Sequence, residues 1–449
     1  MRLLRLLVLG SMALVVAPGA RAQLAIRGDT VYTMAGAPIP GGVVLVGEDG
    51  RIREVGPAGR VRIPNGWRVV RGRLVTPGLI DARSTVGLSG LLNQRHDQDQ
   101  LDPGGPLQPE LRAIDAYNPL DTLVGWLRSF GITTVHTGHS AGALAAGTTA
   151  IFKTHGLTAD DAALVPEAMI AMTVGEGISS VFPSPGTRAK GAAMLRAEFL
   201  KAQAFVRKGR AASGGAARAD SASALPRADS AGNALTPEQQ LAGNPSGLAG
   251  TGTGAGATDP ATRDLRLEAL AMLLRGERTA LVTAHRAQDI STALRLQREF
   301  GFRMVLDGGA EAYLVLDDLK RANVAVFVHP TMLRAAGEAA NVSMETAAAL
   351  HAAGIPFAFT SSYEPYVPKT RVVLFEAGVA VGQGGLPRAA ALDALTRGAA
   401  RLLGIDGRVG SLEAGKDADV VVWDGDPLEY TTHACVVVVG GKVVREACR

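Results

Sequence analysis

Between residues 74 and 407, short apolar runs alternate with helical stretches, and that rhythm constrains the fold more than any other feature of the chain. The runs are Leu74–Arg83, Gly131–Thr137, Ala150–Thr154, Ala168–Val174, Thr279–Arg286, Phe302–Asp307, Val324–Val328 and Pro356–Thr360. Runs of this length bounded by turn residues read as buried strands, and eight of them separated by helices predict a parallel α/β barrel of the TIM type, (β/α)8. Leu265–Arg275 and Ile290–Phe300 carry apolar residues at helical spacing, with Asp289 placed to cap the second. The stretch Lys208–Arg263 interrupts the rhythm with Gly, Ala, Ser, Thr and Pro and few large apolar side chains. It is expected to be a disordered insertion (208–263) within the barrel, because too little apolar surface is available to offset the entropy of ordering.

Both ends of the chain read differently. Residues 23–73 break into β-type runs, Ala25–Tyr32, Gly42–Val46, Arg51–Val55 and Trp67–Val70, with Glu48-Asp49-Gly50 as a turn. Residues 408–449 mirror them with Ala418–Asp424 and a hairpin over Ala434–Val444. Each end is too small to close a core, so the two are expected to form one small β-sandwich together. Cys435 and Cys448, the only cysteines, flank that hairpin. With Val439 opposite Lys442, Cys435 falls opposite Glu446 and only diagonal to Cys448, which leaves a disulfide open but strained. Two cysteines alone are too few for a thiolate metal site.

Residues 1–22 have the form of a secretory signal: Arg2 and Arg5, an uncharged apolar run Leu6–Val16, then Ala20-Arg21-Ala22 before Gln23. The run is too short to span a bilayer, so a periplasmic or secreted location with no membrane span after cleavage is expected. Removing Arg2, Arg5 and Arg21 from 46 basic residues against 42 acidic ones leaves the mature chain near neutral. With no basic run interleaved with aromatics, nucleic acid drops out as a partner. A small-molecule substrate or ligand remains.

The string Val75-Thr76-Pro77-Gly78-Leu79-Ile80-Asp81, together with Gly410-Ser411-Leu412-Glu413-Ala414-Gly415-Lys416-Asp417-Ala418-Asp419, resembles the amidohydrolase superfamily and its imidazolonepropionase-like members. Gly50-Arg51-Ile52 and Gly131-Ile132-Thr133-Thr134-Val135 add to the likeness. The resemblance implies hydrolysis of carbon–nitrogen bonds other than peptide bonds, on one or two divalent metals at the C-terminal mouth of the barrel. It also implies His-x-His after the first strand, single histidines on the fifth and sixth, a carboxylate or modified lysine on the fourth, and an aspartate on the eighth.

The chain departs from that pattern. Arg83 and Thr85 stand at the His-x-His positions, Gly308 at the sixth-strand histidine and Ser361 at the eighth-strand aspartate; only His285 matches. Arginine stays protonated and a threonine hydroxyl is a weak donor, so these positions supply no zinc ligands. A single divalent metal, zinc, at a relocated site is one expectation, held by His285 with His136 or His139 and a carboxylate from Asp97, Asp99 or Glu176. In the hydrolase reading His285 is a ligand or general base, Asp97, Asp99 or Glu176 orients water, and Arg83 stabilises developing negative charge. His139, His329, Tyr363, Glu364 and Lys369 are candidate substrate contacts. Two other readings stay open. One is a catalytically degenerate barrel that binds an anionic ligand through Arg83, Lys153, Lys369 and Arg371. The other is a serine hydrolase built on Gly138-His139-Ser140-Ala141-Gly142, which has the spacing of a nucleophile elbow.

Overall fold

The computed structural model describes residues 23–91, 94–175, 177–222, 263–329, 335–362 and 372–448. They fall into two compact units. Of the described residues, one takes those from Gln23 to Leu79, Arg128–Thr133 and those from Gly404 to Cys448; the other takes those within Ile80–Leu127 and Thr134–Leu403.

The first unit is one eight-stranded sheet made from both chain ends. Its strands are β1 (Leu24–Val31), β2 (Ile39–Pro40), β3 (Gly42–Val46), β4 (Ile52–Pro57), β5 (Arg68–Pro77), β16 (Val420–Trp423), β17 (Ala434–Val439) and β18 (Lys442–Glu446). They pair in the order β18-β17-β16-β5-β1-β3-β4, with β2 on β1. The N- and C-terminal strands meet at β5, which runs parallel to β1 and antiparallel to β16. The strand period of two sorts β1 cleanly: Leu24 and Ile26 enter a core with Val44, Ile52, Val420 and Val438, whereas Ala25 joins Val43, Leu45 and Val61 on the opposite face. Edge strand β4 is not left open. Ile52 N donates to Lys416 O at 2.9 Å and Ala418 N to Gly50 O at 2.9 Å, so the segment leading into β16 closes the sheet over its core.

The hairpin corrects one expectation. A bulge between Val437 and Val438 places Val436, not Cys435, opposite Glu446, and Ala447 N then donates to Cys435 O at 2.9 Å. The extra residue brings Cys448 alongside Cys435, and the two form a disulfide.

The second unit is the TIM-type barrel. Its strands are β6 (Leu79–Ser84), β7 (Ile132–Thr137), β8 (Ala145–Thr148), β9 (Ala150–Lys153), β10 (Ala163–Val165), β11 (Met169–Thr173), β12 (Thr279–Ala284), β13 (Met304–Gly308), β14 (Ala325–Val328) and β15 (Phe357–Phe359). From β11 to β15 every neighbouring pair is parallel. A parallel bridge between Ser84 and Ser362, with Ser362 N donating to Arg83 O at 2.9 Å, ties the chain after β15 back to β6.

The third strand differs from expectation. The run from Ala145 to Lys153 is antiparallel to both neighbours, with β8 against β11 and β9 against β7. A parallel return needs a crossover of a dozen or more residues, and the 138–144 connection is too short to make one. Two helical expectations also shift. The helix expected from Ile290 begins at Ala287, and Asp289 lies in its first turn rather than capping it. The helix Arg188–Ala222 continues into the stretch expected to be disordered from Lys208, where Ala211-Ala212 and Ala216-Ala217 favour helix. The remaining insertion, 223–262, and the signal-like residues 1–22 lie outside the described residues.

Gly131, which opens β7, has φ +78°, and a Cβ there would meet Trp423 Cη2 at 2.8 Å and Cζ2 at 2.9 Å. Trp423 cannot retreat, because it is fully buried and donates from Nε1 to Thr76 Oγ1 at 2.9 Å. Gly131→Ala should therefore lower stability by roughly 1–3 kcal/mol, read as a drop in Tm; an unchanged Tm would show that the ring has room to move.

Candidate active site at the barrel mouth

The site is organised from β6, every residue of which is buried. Asp81 and Arg83 are two apart and so share a face. Asp81 accepts from Ser361 N at 3.0 Å, from the Ser361 hydroxyl and from Arg83 N at 3.2 Å. Burial pushes its carboxyl up to about 7, against the opposing pull of these hydrogen bonds. Ser361, at the position of the family's aspartate, is thus a donor to a carboxylate on the first strand.

Arg83 is 3% exposed, and its guanidinium faces inward. Nη1 donates to Ser84 O at 2.8 Å, Nη2 donates to His139 O, and Nε lies 3.8 Å from Asp307 Oδ2. Burial pulls its pKa below the ordinary arginine value, with Asp307 and Asp81 opposing that shift. This corrects the expected role. A guanidinium engaged with two main-chain carbonyls and a carboxylate fixes the barrel interior instead of being presented to a reacting group.

Asp307 sits on β13 directly across from Thr283 on β12, whose hydroxyl donates to Oδ2 at 2.7 Å. Its Oδ1 is buried and has no hydrogen-bond partner. Beside it, just after β12, the ring of His285 lies against Gly308: a Cβ at 308 would come within 2.6 Å of His285 Cε1, and Gly308 has φ +87°. The fifth- and sixth-strand positions compete for one space, and His285 fills it. Its Nδ1 is buried without a partner, and burial lowers its pKa, while Asp307, Glu338 and Asp289 pull the other way.

The main chain of His285 is clamped by the next loop. Glu311 N donates to His285 O at 2.8 Å, and Glu311 Oε2 accepts from Ala287 N at 2.7 Å. That carboxylate satisfies a free N–H at the start of the following helix, the task expected of Asp289. Asp289 instead accepts from Arg188 Nε at 3.0 Å, and Arg188 Nη2 reaches Glu338 Oε1 at 3.3 Å.

The two histidines of β7 and its loop part company. His136 is fully buried, with Nδ1 2.7 Å from Ala82 O and Nε2 2.6 Å from Thr149 Oγ1, and burial pushes its pKa down to about 3. Both ring nitrogens are engaged, so the expectation that it binds a metal is corrected: it is a neutral strut between β6 and Thr149. His139 is buried against Gly147, keeps Nδ1 without a partner, and has its pKa pushed down to about 4 by burial and by Arg83. His329 is buried, with Nδ1 3.3 Å from Thr360 O.

Other expected residues are placed elsewhere. Asp97 turns back on its own loop beside Gly90 and Gln98, and Asp99 is exposed. Glu176, Tyr363, Glu364, Lys369 and Arg371 lie outside the described residues. Ser140 is not a nucleophile elbow: its hydroxyl donates to Ala141 O at 3.3 Å, and the chain runs on into β8 rather than a helix.

Among the described residues, the positions aligned with the family's histidine and aspartate ligands do not supply donors that fit its metal centre. Thr85 Oγ1 bonds Ser89, Arg83 brings a cation, and Gly308 and Ser361 bring neither nitrogen nor carboxylate. Among the described residues, the only three His, Cys, Asp or Glu side chains whose ligand atoms converge are Asp424, Cys435 and Cys448, in the other unit. Sequence reasoning missed Asp307 and Asp81. Each is the only carboxylate of a fully buried strand, which is the signal that singles them out.

Asp81 makes stability depend on pH. Its folded pKa stands near 7, above the unfolded 3.8, so its contribution is fully present below pH 3.8 and is lost as pH rises through 7. Asp81→Asn should narrow the fall in Tm between pH 5 and pH 8 by roughly 5 °C. An equal fall in both proteins would contradict this.

An amidohydrolase from Thermotoga maritima superposes with a TM-score of 0.79 and 26% identity over 94% of this chain and 100% of that one. An adenosine deaminase from Xanthomonas campestris, solved with bound zinc, shares the fold at a TM-score of 0.51 and 17% identity over 95% of this chain and 93% of its own. In sequence, amidohydrolase tasK of Hapsidospora irregularis is 27% identical over 381 residues, 80% of this chain and 35% of that protein. Imidazolonepropionase of Maricaulis maris is 38% identical over 76 residues, 17% of this chain and 19% of its own. The chain therefore spans about a third or less of the length of these two sequence relatives. A match to the amidohydrolase family runs over residues 88–445, most of the chain, and the protein belongs to that family.

Proposed function

We propose that this protein is an exported hydrolase that cleaves a carbon–nitrogen bond other than a peptide bond in a small molecule, with His285 as its general base. The family supports the reaction class. The observation that carries the base is that two buried polar atoms without partners, Nδ1 of His285 and Oδ1 of Asp307, are brought to the ends of two adjacent strands. Burial lowers the imidazole's pKa and so favours the neutral ring, and in its Nε2–H tautomer Nδ1 carries the lone pair that takes a proton from an attacking water. Asp307 Oδ1 accepts the water's second hydrogen and aims its oxygen. Arg83 and Thr283 hold Asp307 in place, and Glu311 holds the His285 main chain. Export is supported by the apolar run and small-residue site before Gln23, and by the pairing of the only two cysteines in a disulfide, a bond that persists in oxidising compartments.

The inward commitment of Arg83 takes away the expected stabiliser of developing negative charge and with it one support for catalysis, which leaves a second reading: a barrel that binds a ligand, without the help of Arg83, and does not turn it over. The two part in one experiment. Protein recovered from the periplasmic or culture fraction and beginning at Gln23 is assayed against small cyclic and acyclic amides. His285→Ala should lower kcat/KM about 10²–10⁴-fold with little change in Tm, and the acid limb of the wild-type profile should lie below pH 6.5. Ligands that raise Tm but are never hydrolysed, by wild type and variant alike, would replace the hydrolase with the binding barrel.

A further inference from the structure

We propose that the C-terminal hairpin carries a thiol-gated metal site, in which reduction of the Cys435–Cys448 disulfide yields a zinc-type centre of Cys435, Cys448, Asp424 and His433. The ligand atoms of Asp424 and the two cysteines already lie within 4.8 Å of one another. Asp424 Oδ2 is the hub, 3.6 Å from Cys448 Sγ and 3.0 Å from His433 Nδ1. With zinc bonded to oxygen and nitrogen at about 2.0 Å and to sulfur at about 2.3 Å, a tetrahedron separates O from N by roughly 3.3 Å, O from S by roughly 3.5 Å and S from S by roughly 3.8 Å. The O–N separation and the O–S separation to Cys448 are nearly met. Breaking the disulfide lets the sulfurs move apart, and the exposed His433 ring, which lies outside the 4.8 Å group, must swing toward them to complete the tetrahedron. Two cysteines are too few by themselves; the carboxylate and the imidazole bring the donors to four.

The surroundings suit a cation held by anionic ligands. A cavity of about 350 Å³ opens beside the disulfide, lined by Arg71, Arg73, Trp423 and Asp424. A divalent ion with two thiolates and one carboxylate carries one net negative charge, and Arg73, whose Nη1 donates to Asp424 O at 3.2 Å, lies against it. Cys448 is exposed, so a reductant can reach the bond.

The step balances with an external dithiol. One of its thiolates attacks a hairpin sulfur and the mixed disulfide resolves: the dithiol becomes a disulfide, and Cys435 and Cys448 leave as thiols. Metal binding then displaces two thiol protons to solvent. Oxidised, the hairpin is stapled by sulfur; reduced, by metal.

Cobalt(II) reports the site without any assay of activity. The full mature protein, oxidised or reduced with dithiothreitol and desalted without oxygen, is titrated with Co²⁺ and then Zn²⁺. The reduced protein should gain one equivalent of tetrahedral cobalt, with sulfur-to-cobalt charge-transfer and visible d–d bands that zinc abolishes, and the oxidised protein none. Asp424→Asn should weaken binding at least tenfold, and the double variant Cys435→Ser, Cys448→Ser should lose the charge-transfer band while keeping the wild-type circular dichroism. No band in the reduced wild type, an equal band in the oxidised protein, or binding undiminished by Asp424→Asn would overturn the proposal.

Discussion

The barrel mouth depends on one buried cation. Arg83 lies 3.8 Å from Asp307 and donates to the carbonyls of Ser84 and His139, so a single side chain joins the first strand, the loop after the second and the sixth strand. Asp81, two residues earlier, extends the network to Ser361 after the eighth. A buried ion pair contributes little net stability compared with a packed apolar core, but removing one partner is costly because the other charge and the carbonyls stay behind. The network's effect is to fix the ends of the strands that carry His285, Asp307 and His139.

This arrangement accounts for the substitutions along the strands. With Arg83 supplying positive charge at the first strand, a histidine there would meet Asp307 and two carbonyl oxygens with fewer donors. Gly308 is required by the seat of His285, and Ser361 by the Asp81 carboxyl. The departures from the family pattern are mutually consistent, as parts of one packed polar cluster should be.

Much of the architecture was legible in the sequence because it rests on local pattern. The eight apolar runs, the paired strings at Pro77–Asp81 and Gly410–Asp419, and the β-rich ends reflect strand periodicity and turn chemistry. What escaped depends on register and direction. The antiparallel third strand was readable in principle from the short 138–144 connection, but Ala150–Thr154 by itself does not disclose its direction. The bulge at Val437–Val438 moves Cys448 by one residue, and nothing in a run of valines marks it. In the site, His285 was found by alignment to a strand end, whereas separating His136 from His139 required the partners of each ring nitrogen. Asp307 is illegible by the same route, because a lone carboxylate before Gly308-Gly309 carries no ligand motif and its role shows only through its partner Thr283 on the neighbouring strand.

The central claim, that Arg83 holds the mouth together from inside, is tested most directly by thermal and denaturant unfolding of Arg83→Met beside the wild type at pH 7. Methionine fills similar space without charge or donors. The account predicts a loss of roughly 3–5 kcal/mol, as Asp307 and the carbonyls of Ser84 and His139 are left buried without their partner. Equal stability of the two proteins would contradict it and reduce the guanidinium to a passenger in the barrel.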